Sequence, residues 1–413
     1  MGLVMAVLVE AMKQGALGQP ARRVRADALT GDVLPGLAAA EGPWRALEAL
    51  PGALATPYQR FDWVAAFAPT LSPGEACRVL VLRDAAERVR LLLPLVLRRR
   101  GGLTVASVAG GAHANYHLPL FSGRDAAALP AEELRLALRA AGRRAGIDAI
   151  DLGHQPRNWD GAVNPLALGA DPAPSDAYGM MLGPDPEASV RRAFSGDARK
   201  KLRSKERRLV ETVGPLAYAC AGNAEERARF LAAFHAQKSA RFAAMGIGDP
   251  FAEAGVRAFL ERAATGEDPA IEIHALVAEA TGRVLATFIG AVDAARFSGM
   301  ATSFEADPEV SRSSPGDLLL QHLVRDQTAR GRRSLDLGIG EARYKASVCD
   351  ETIEIARPVL AVSLRGHAYC GATSALTRAK RRIKRDPRLA GLRDRLRRLS
   401  NGLAPGRGEK AER

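Results

Sequence analysis

Residues 313–345 read SSPGDLLLQHLVRDQTARGRRSLDLGIGEARYK, and their punctuation predicts a helix, a strand and a second short helix. Ser314 stands as an N-cap, Pro315 as the first helical residue and Asp317 as the acidic end of an S-x-x-D capping box. Apolar residues then recur at helical spacing up to Gly331, a C-cap that ends a helix over 315–331. SLDLG (334–338) is a strand, and the turn at Gly338–Gly340 leads into a helical stretch, 341–349.

Working outward, three strands precede this unit: IEIHALVAE (271–279), RVLATFIGAV (283–292) and RFSGMATSF (296–304), the first two joined by a T-G-R hairpin turn. LAYAC (216–220) and helices over 224–243 and 251–265 come before them, and a long apolar strand (352–364) follows. The first half carries a partial copy of the same order. Helical stretches at 44–50 and 58–69 lead into CRVLVLR (77–83), RVRLLLPLVLR (88–98), LTVASVA (103–109) and a segment around Tyr116–Phe121. An amphipathic helix (130–144) and the strand AIDLG (149–153) complete it. Two copies of one supersecondary plan predict a mixed α+β protein of two lobes, each a central sheet flanked by helices. Residues 155–176, rich in Pro, Gly, Asn and Asp, read as a linker. The expected division is a poorly ordered leader (1–40), a first lobe (41–175), a second lobe (176–365) and a basic tail (366–413).

Composition supports a globular chain. At 413 residues, with 47% hydrophobic and 25% charged, it has material for two or three domains of roughly 150 residues each. No apolar run approaches the roughly 20 residues of a membrane-spanning helix. MGLVMAVLVEAMKQ lacks the basic start of a signal peptide, and Cys77, Cys220, Cys349 and Cys370 form no CxxC pair, which together point to a reducing, cytoplasmic setting. The net charge of +13 is concentrated: residues 376–413 hold 14 Lys/Arg against 4 Asp/Glu, leaving the rest nearly neutral.

The element order resembles the GCN5-related N-acetyltransferase (GNAT) fold. Residues 313–345, with FSGDARKKLRSKERRL (194–209) and the LLPLVLR hairpin followed by GGAHANYHLPLF (110–121), resemble the CelD/BcsL-like acetyltransferase family associated with bacterial cellulose biosynthesis. The similarity spans roughly 44–365, and two-lobed Fem-type aminoacyl transferases of peptidoglycan synthesis are wider relatives. The resemblance implies a duplicated GNAT fold whose second lobe takes acetyl-CoA or another acyl-CoA. The acyl group would pass directly, without a metal or covalent intermediate, to an amine or hydroxyl of a polysaccharide or cell-envelope precursor. Two other readings stay open: a Fem-like transferase using aminoacyl-tRNA, and a non-catalytic binding component of an exopolysaccharide synthesis complex.

Specific residues follow from that resemblance. Ser313, Ser314, Pro315, Gly316 and Asp317 open the helix that would receive the CoA pyrophosphate, since unsatisfied amides at a helix N-terminus attract anions. The strand end Thr302, Ser303 and Phe304 would supply backbone donors to the thioester. Tyr344 would be the general acid for the departing thiolate, Asp336 would orient or deprotonate the acceptor, Glu305 is a possible base, and Lys345 would bring a point charge. Lys345 is the only lysine between residues 239 and 379 in a chain that otherwise prefers Arg. His235, Lys238 and Arg241 on one helix, and His113, Asn115 and Tyr116 in the first lobe, would line the acceptor cleft.

Two basic features stand apart. Residues 191–209 carry 9 basic and 2 acidic residues, fitting either an anionic ligand or the solvated face of a helix. In the tail, Leu389, Leu392, Leu396, Leu399 and Leu403 recur at alternating spacings of 3 and 4 among arginines, a basic amphipathic helix suited to the inner membrane face or a synthase partner. Nucleic-acid binding is disfavoured, because the tail lacks the aromatic residues that stack bases.

Overall fold

The structure, a computed structural model, describes residues 29–385. The first sheet is built from β1 (Thr30–Leu34), β2 (Ala76–Arg83), β3 (Val89–Arg100), β4 (Leu103–Val108) and β5 (Ala149–Asp151). Its strands run in the order β1-β2-β3-β4-β5, antiparallel except for the parallel pair β4–β5. Helices α1 (Leu37–Glu48) and α3 (Ala131–Arg144) pack on this sheet, and α2 (Phe61–Phe67) turns toward the second lobe. Val79–Leu82 and Leu91–Leu93 are wholly buried, which is why these strands read as continuous apolar runs.

The second lobe contains α4 (Pro186–Ala193), α5 (Gly196–Val213), α6 (Ala224–Ala244), α7 (Ala254–Ala263), α8 (Pro315–Ala329) and α9 (Arg343–Val348). Its sheet consists of β6 (Ala177–Met181), β7 (Leu216–Cys220), β8 (Ile271–Ala278), β9 (Val284–Val292), β10 (Arg296–Phe304), β11 (Ser334–Ile339) and β12 (Glu351–Ile353), in the order β7-β8-β9-β10-β11-β6-β12. Every residue of β8 and β9 is buried. Alternate side chains serve two cores, as the pleat requires. Ile273, Ala275 and Val277 join a core with Phe230, Leu231 and Phe234 of α6, whereas Leu276 and Ala278 join Leu319, Leu323 and Val324 of α8.

The lobes share one core and exchange strands. Trp63 of α2 packs edge-on against Phe259 of α7 at 5.1 Å, and Arg60 donates to Val292 O (2.9 Å) and pairs with Asp268 (2.6 Å). The chain leaves β5, enters the second sheet as β6 beside β11, and returns after β12 as β13 (Val359–Ala361), which pairs antiparallel with β5. Helix α10 (Leu364–Arg385) then packs on β13 and β5. Each sheet is thus completed by a strand from across the molecule.

Several expectations change. Residues 30–40 are not leader, because β1 pairs with β2 and Ala40 is fully buried. Residues 155–176 are packed rather than a free linker: Gln155 and Asn164 are buried, and Gln155–Pro156 pairs with Ile355–Ala356. The long strand over 352–364 is three pieces that cross between sheets, and β6 went unrecognised. Residues 366–385 belong to α10, which Arg378 ties to Asp171 (2.8 Å). The tail leucines from Leu389 onward lie outside the described residues. Among the described residues, no helix is long and apolar enough to cross a membrane.

Candidate active site

β10 and β11 pair in parallel over three steps, Arg296↔Ser334, Phe297↔Leu335 and Ser298↔Asp336, and then separate. β10 continues along β9 as far as Phe304, while β11 follows β6 to Ile339. A pocket of about 180 Å³ opens along the diverging strands, lined by Phe288, Gly299–Thr302, Leu337, Lys238, Tyr344 and Lys345. It brings together four residues expected at the site from three elements: Lys238 of α6, Thr302 of β10, and Tyr344 and Lys345 of α9.

The polar groups here have distinct environments. Lys345 is 8% exposed, and its Nζ donates to the carbonyls of Gly338 and Ile339, both at 3.1 Å. Burial holds its pKa below the ordinary lysine value. Lys238 Nζ lies 5.2–5.9 Å from the rings of Phe251, Phe242 and Phe234, and desolvation brings its pKa down to about 8. Tyr344 is partly exposed, and burial raises its phenol, keeping it protonated as an acid would need to be.

Asp336 does not face this pocket, which corrects its expected role with the acceptor. It is fully buried beneath the divergence, accepting from Ser298 Oγ (2.9 Å) and Gly338 N–H (3.1 Å), with Arg296 3.7 Å away. Burial raises its pKa to about 6, against the opposing charge of Arg296. Tyr58 Oη meets Ser298 Oγ at 2.9 Å, and Tyr116 packs on Tyr58 from the first lobe. Tyr116 is therefore a buried wall of the lobe interface rather than a cleft residue.

The start of α8 also differs from expectation. Ser314 adopts a left-handed conformation (φ 49°) and its side chain caps nothing, so the S-x-x-D box does not form. Instead α5 lies across this end: Lys205 Nζ donates to Ser314 Oγ (2.6 Å) and stands 3.8 Å from Asp317, and Arg208 Nε donates to buried Ser313 Oγ (3.0 Å). The basic run 198–209 thus turns two cations toward the helix N-terminus, while Lys200, Lys201, Arg203 and Arg207 are exposed. A Cβ at Gly316 would meet only Phe304, at 3.8 Å, so the approach is open. Lys205, Arg208 and the α8 amides fit an anion, with Asp317 opposing it.

Other expected residues disperse. Glu305 pairs with Arg283 (3.3 Å) and is absent from the pocket lining. Ser303 points into the interior, bonding Gln237 (2.6 Å) and Thr287 (2.7 Å). Phe304 lies beneath the Arg241 guanidinium at 5.0 Å, on the surface. His235 is buried against Phe234, and His113 sits among Phe67, Phe251 and Phe259. Pro315 is buried at the first turn of α8. Cys220, Glu272 and His274 have metal-ligand spacing, but Glu272 is held by Arg332 (2.7 Å) and Arg330 (3.4 Å). Two guanidiniums on the carboxylate make this an ion network. Tyr58, Ser298 and Arg296 had no sequence signal, since each acquires its role only through the lobe contact.

Residues 196–346 match the family described as the acetyltransferase (GNAT) domain. The structure of FemX superposes with a TM-score of 0.52 at 10% identity, covering 80% of this chain and 97% of FemX. A tandem GNAT protein from the clavulanic acid biosynthesis pathway aligns at TM-score 0.39 and 14% identity, over 81% of this chain and 99% of that one. L-PGS from Bacillus licheniformis aligns at 0.42 and 12%, over 82% and 96%. No curated protein sequence matches. The chain is a mixed α/β protein of two sheet-containing lobes, and the match to the acetyltransferase (GNAT) domain falls on the second.

Proposed function

We propose, with a GNAT domain over residues 196–346 as the premise, that the chain transfers an acyl group from acyl-CoA to an amine or hydroxyl in the β10–β11 opening. The observation that carries this is the convergence of Lys238, Tyr344 and Lys345 on one pocket beside two diverging strand edges. Acyl-CoA supplies an activated thioester. Lys205, Arg208 and the first amides of α8 hold its phosphates. Lys238, whose amine is readily neutral, accepts a proton from the acceptor. Lys345 places positive charge where the carbonyl oxygen gains negative charge, and the Tyr344 hydroxyl delivers a proton to the departing sulfur. Lys238 comes from α6 and Tyr344 and Lys345 from α9, so the packing of these two helices beside the diverging strands fixes their spacing. The motifs shared with the CelD/BcsL-like family favour a polysaccharide or envelope precursor as acceptor.

A second reading is favoured by the exposed basic face of α5 beside α8 and by the FemX-like superposition: an aminoacyl-tRNA donor whose phosphates run along Lys200, Lys201, Arg203 and Arg207. Calorimetric titration with acetyl-CoA, longer acyl-CoAs, free CoA and aminoacyl-tRNA separates the two. Acyl-CoA binding that Gly316→Glu abolishes supports the leading reading. Binding of aminoacyl-tRNA alone replaces it.

A further inference from the structure

Where the β10–β11 ladder stops, a side chain from the other lobe takes over. Asn115 Nδ2 donates to Gly299 O (2.9 Å), one residue past Ser298 on β10, and to Tyr58 Oη (2.7 Å). Its Oδ1 accepts from Ile339 N–H at 3.4 Å, at the end of β11. A carboxamide has the donor and acceptor of a peptide unit, so Asn115 stands in for the rung that the diverging strands no longer make. Gly338 makes room for it: at φ +72°, a Cβ there would lie 2.6 Å from Asn115 Nδ2. Tyr58, itself bonded to Ser298, fixes the amide's orientation.

The first lobe closes its own opening with the same segment. The β4–β5 ladder also runs three steps and ends at Ser107↔Asp151. Gly153 (φ +62°) lies against His117, which accepts from His154 N–H through Nδ1 (3.1 Å). An imidazole fills that corner, whereas two residues earlier a small amide props the second corner and leaves the pocket beside it.

We propose that Asn115 is a positioning residue, whose carboxamide sets the spacing of β10 and β11 and so couples the first lobe to donor binding in the second. The donor part rests on the acyl-CoA reading above. Only a side chain that both donates to Gly299 O and accepts from Ile339 N–H does this. Asn115→Leu removes both functions. Asn115→Asp removes the donor while ionised, but regains an O–H when protonated.

The experiment measures the acetyl-CoA dissociation constant and the amide-exchange protection of Ile339 for wild type, Asn115→Leu and Asn115→Asp between about pH 4 and about pH 8.5. The groups facing this position are Tyr58, Tyr116, Asp336, Arg296 and the Lys345 ammonium on the carbonyls of Gly338 and Ile339. They are common to all three proteins, so wild type and the Leu variant record their titration. Asn115→Leu is expected to bind about tenfold more weakly at every pH. Asn115→Asp is expected to match that loss at about pH 8.5 and to recover part of it at about pH 4, where a carboxyl is about half protonated, with protection of Ile339 following the same course. A pH-independent loss in Asn115→Asp equal to that of Asn115→Leu, or wild-type behaviour in both, overturns the proposal. Failure of wild type to bind acetyl-CoA removes the donor reading instead, and Ile339 protection then decides the spacing claim alone.

Discussion

Asp151 and Asp336 close the same turn in the two lobes. Each ends a three-step parallel ladder opposite a serine, and each accepts through Oδ1 from the N–H of the glycine two residues on, at 3.0 Å for Gly153 and 3.1 Å for Gly338. Each faces an arginine, Arg357 at 2.9 Å and Arg296 at 3.7 Å. The repeat D-L-G (151–153 and 336–338) is the residue-level trace of the duplication.

Both glycines occupy the left-handed region, where a Cβ costs roughly 1–2 kcal/mol before any contact. Gly338→Ala also displaces a carboxamide, whereas Gly153→Ala must displace a packed imidazole. Urea denaturation is expected to show both variants destabilised, Gly153→Ala the more so. Equal stability to wild type would contradict the geometry of these corners.

The buried Asp336 carboxyl titrates at about 6, above its unfolded value near 3.8. A raised carboxyl pKa means the folded state binds the proton more tightly. Its contribution to stability is therefore lowest above pH 6 and grows as pH falls toward 4. Asp336→Asn abolishes this response. Stability curves should show wild type gaining roughly 1–3 kcal/mol on the variant between pH 7 and pH 4. Parallel curves would show that the carboxyl is not held in this way.

Much of this fold was legible because its signals are local. The β8–β10 meander and α8 follow from apolar periodicity and Gly or Pro punctuation, whereas Tyr344 and Lys345 were named on the family resemblance, and both line the pocket. Other features depend on partners remote in sequence. β6 is short, and its place beside β11 comes from the strand exchange. Asp336 was expected to meet the acceptor, but Tyr58 and Tyr116 from the first lobe bury it. Ser314 has cap chemistry, but Lys205 of α5 claims its hydroxyl.

Lys238, at about 8, gives a pH dependence to the proposed transfer. As a base it acts when neutral, so kcat/KM should rise with pH, reach half its maximum at about 8 and level off above that. Lys238→Met should lower the rate on the order of 10²-fold and lose that limb. Thiol release from acetyl-CoA with an amine acceptor measures this, and an unchanged profile in the variant would remove Lys238 from catalysis.

Tyr344→Phe keeps the ring and deletes the proton. In the same assay kcat should fall on the order of 10²-fold, with the acetyl-CoA dissociation constant held to within about twofold. A parallel loss of binding would make the hydroxyl a ligand contact rather than an acid.

In the proposed function the β10–β11 opening holds the acyl donor. Hydrogen-exchange footprinting of the whole chain with and without acetyl-CoA tests it most directly. Protection gained across 299–304, 314–318 and 337–345, with the first-lobe corner at 151–154 unchanged, is the predicted result. Protection confined to any other surface, or none at saturating acetyl-CoA, would contradict it.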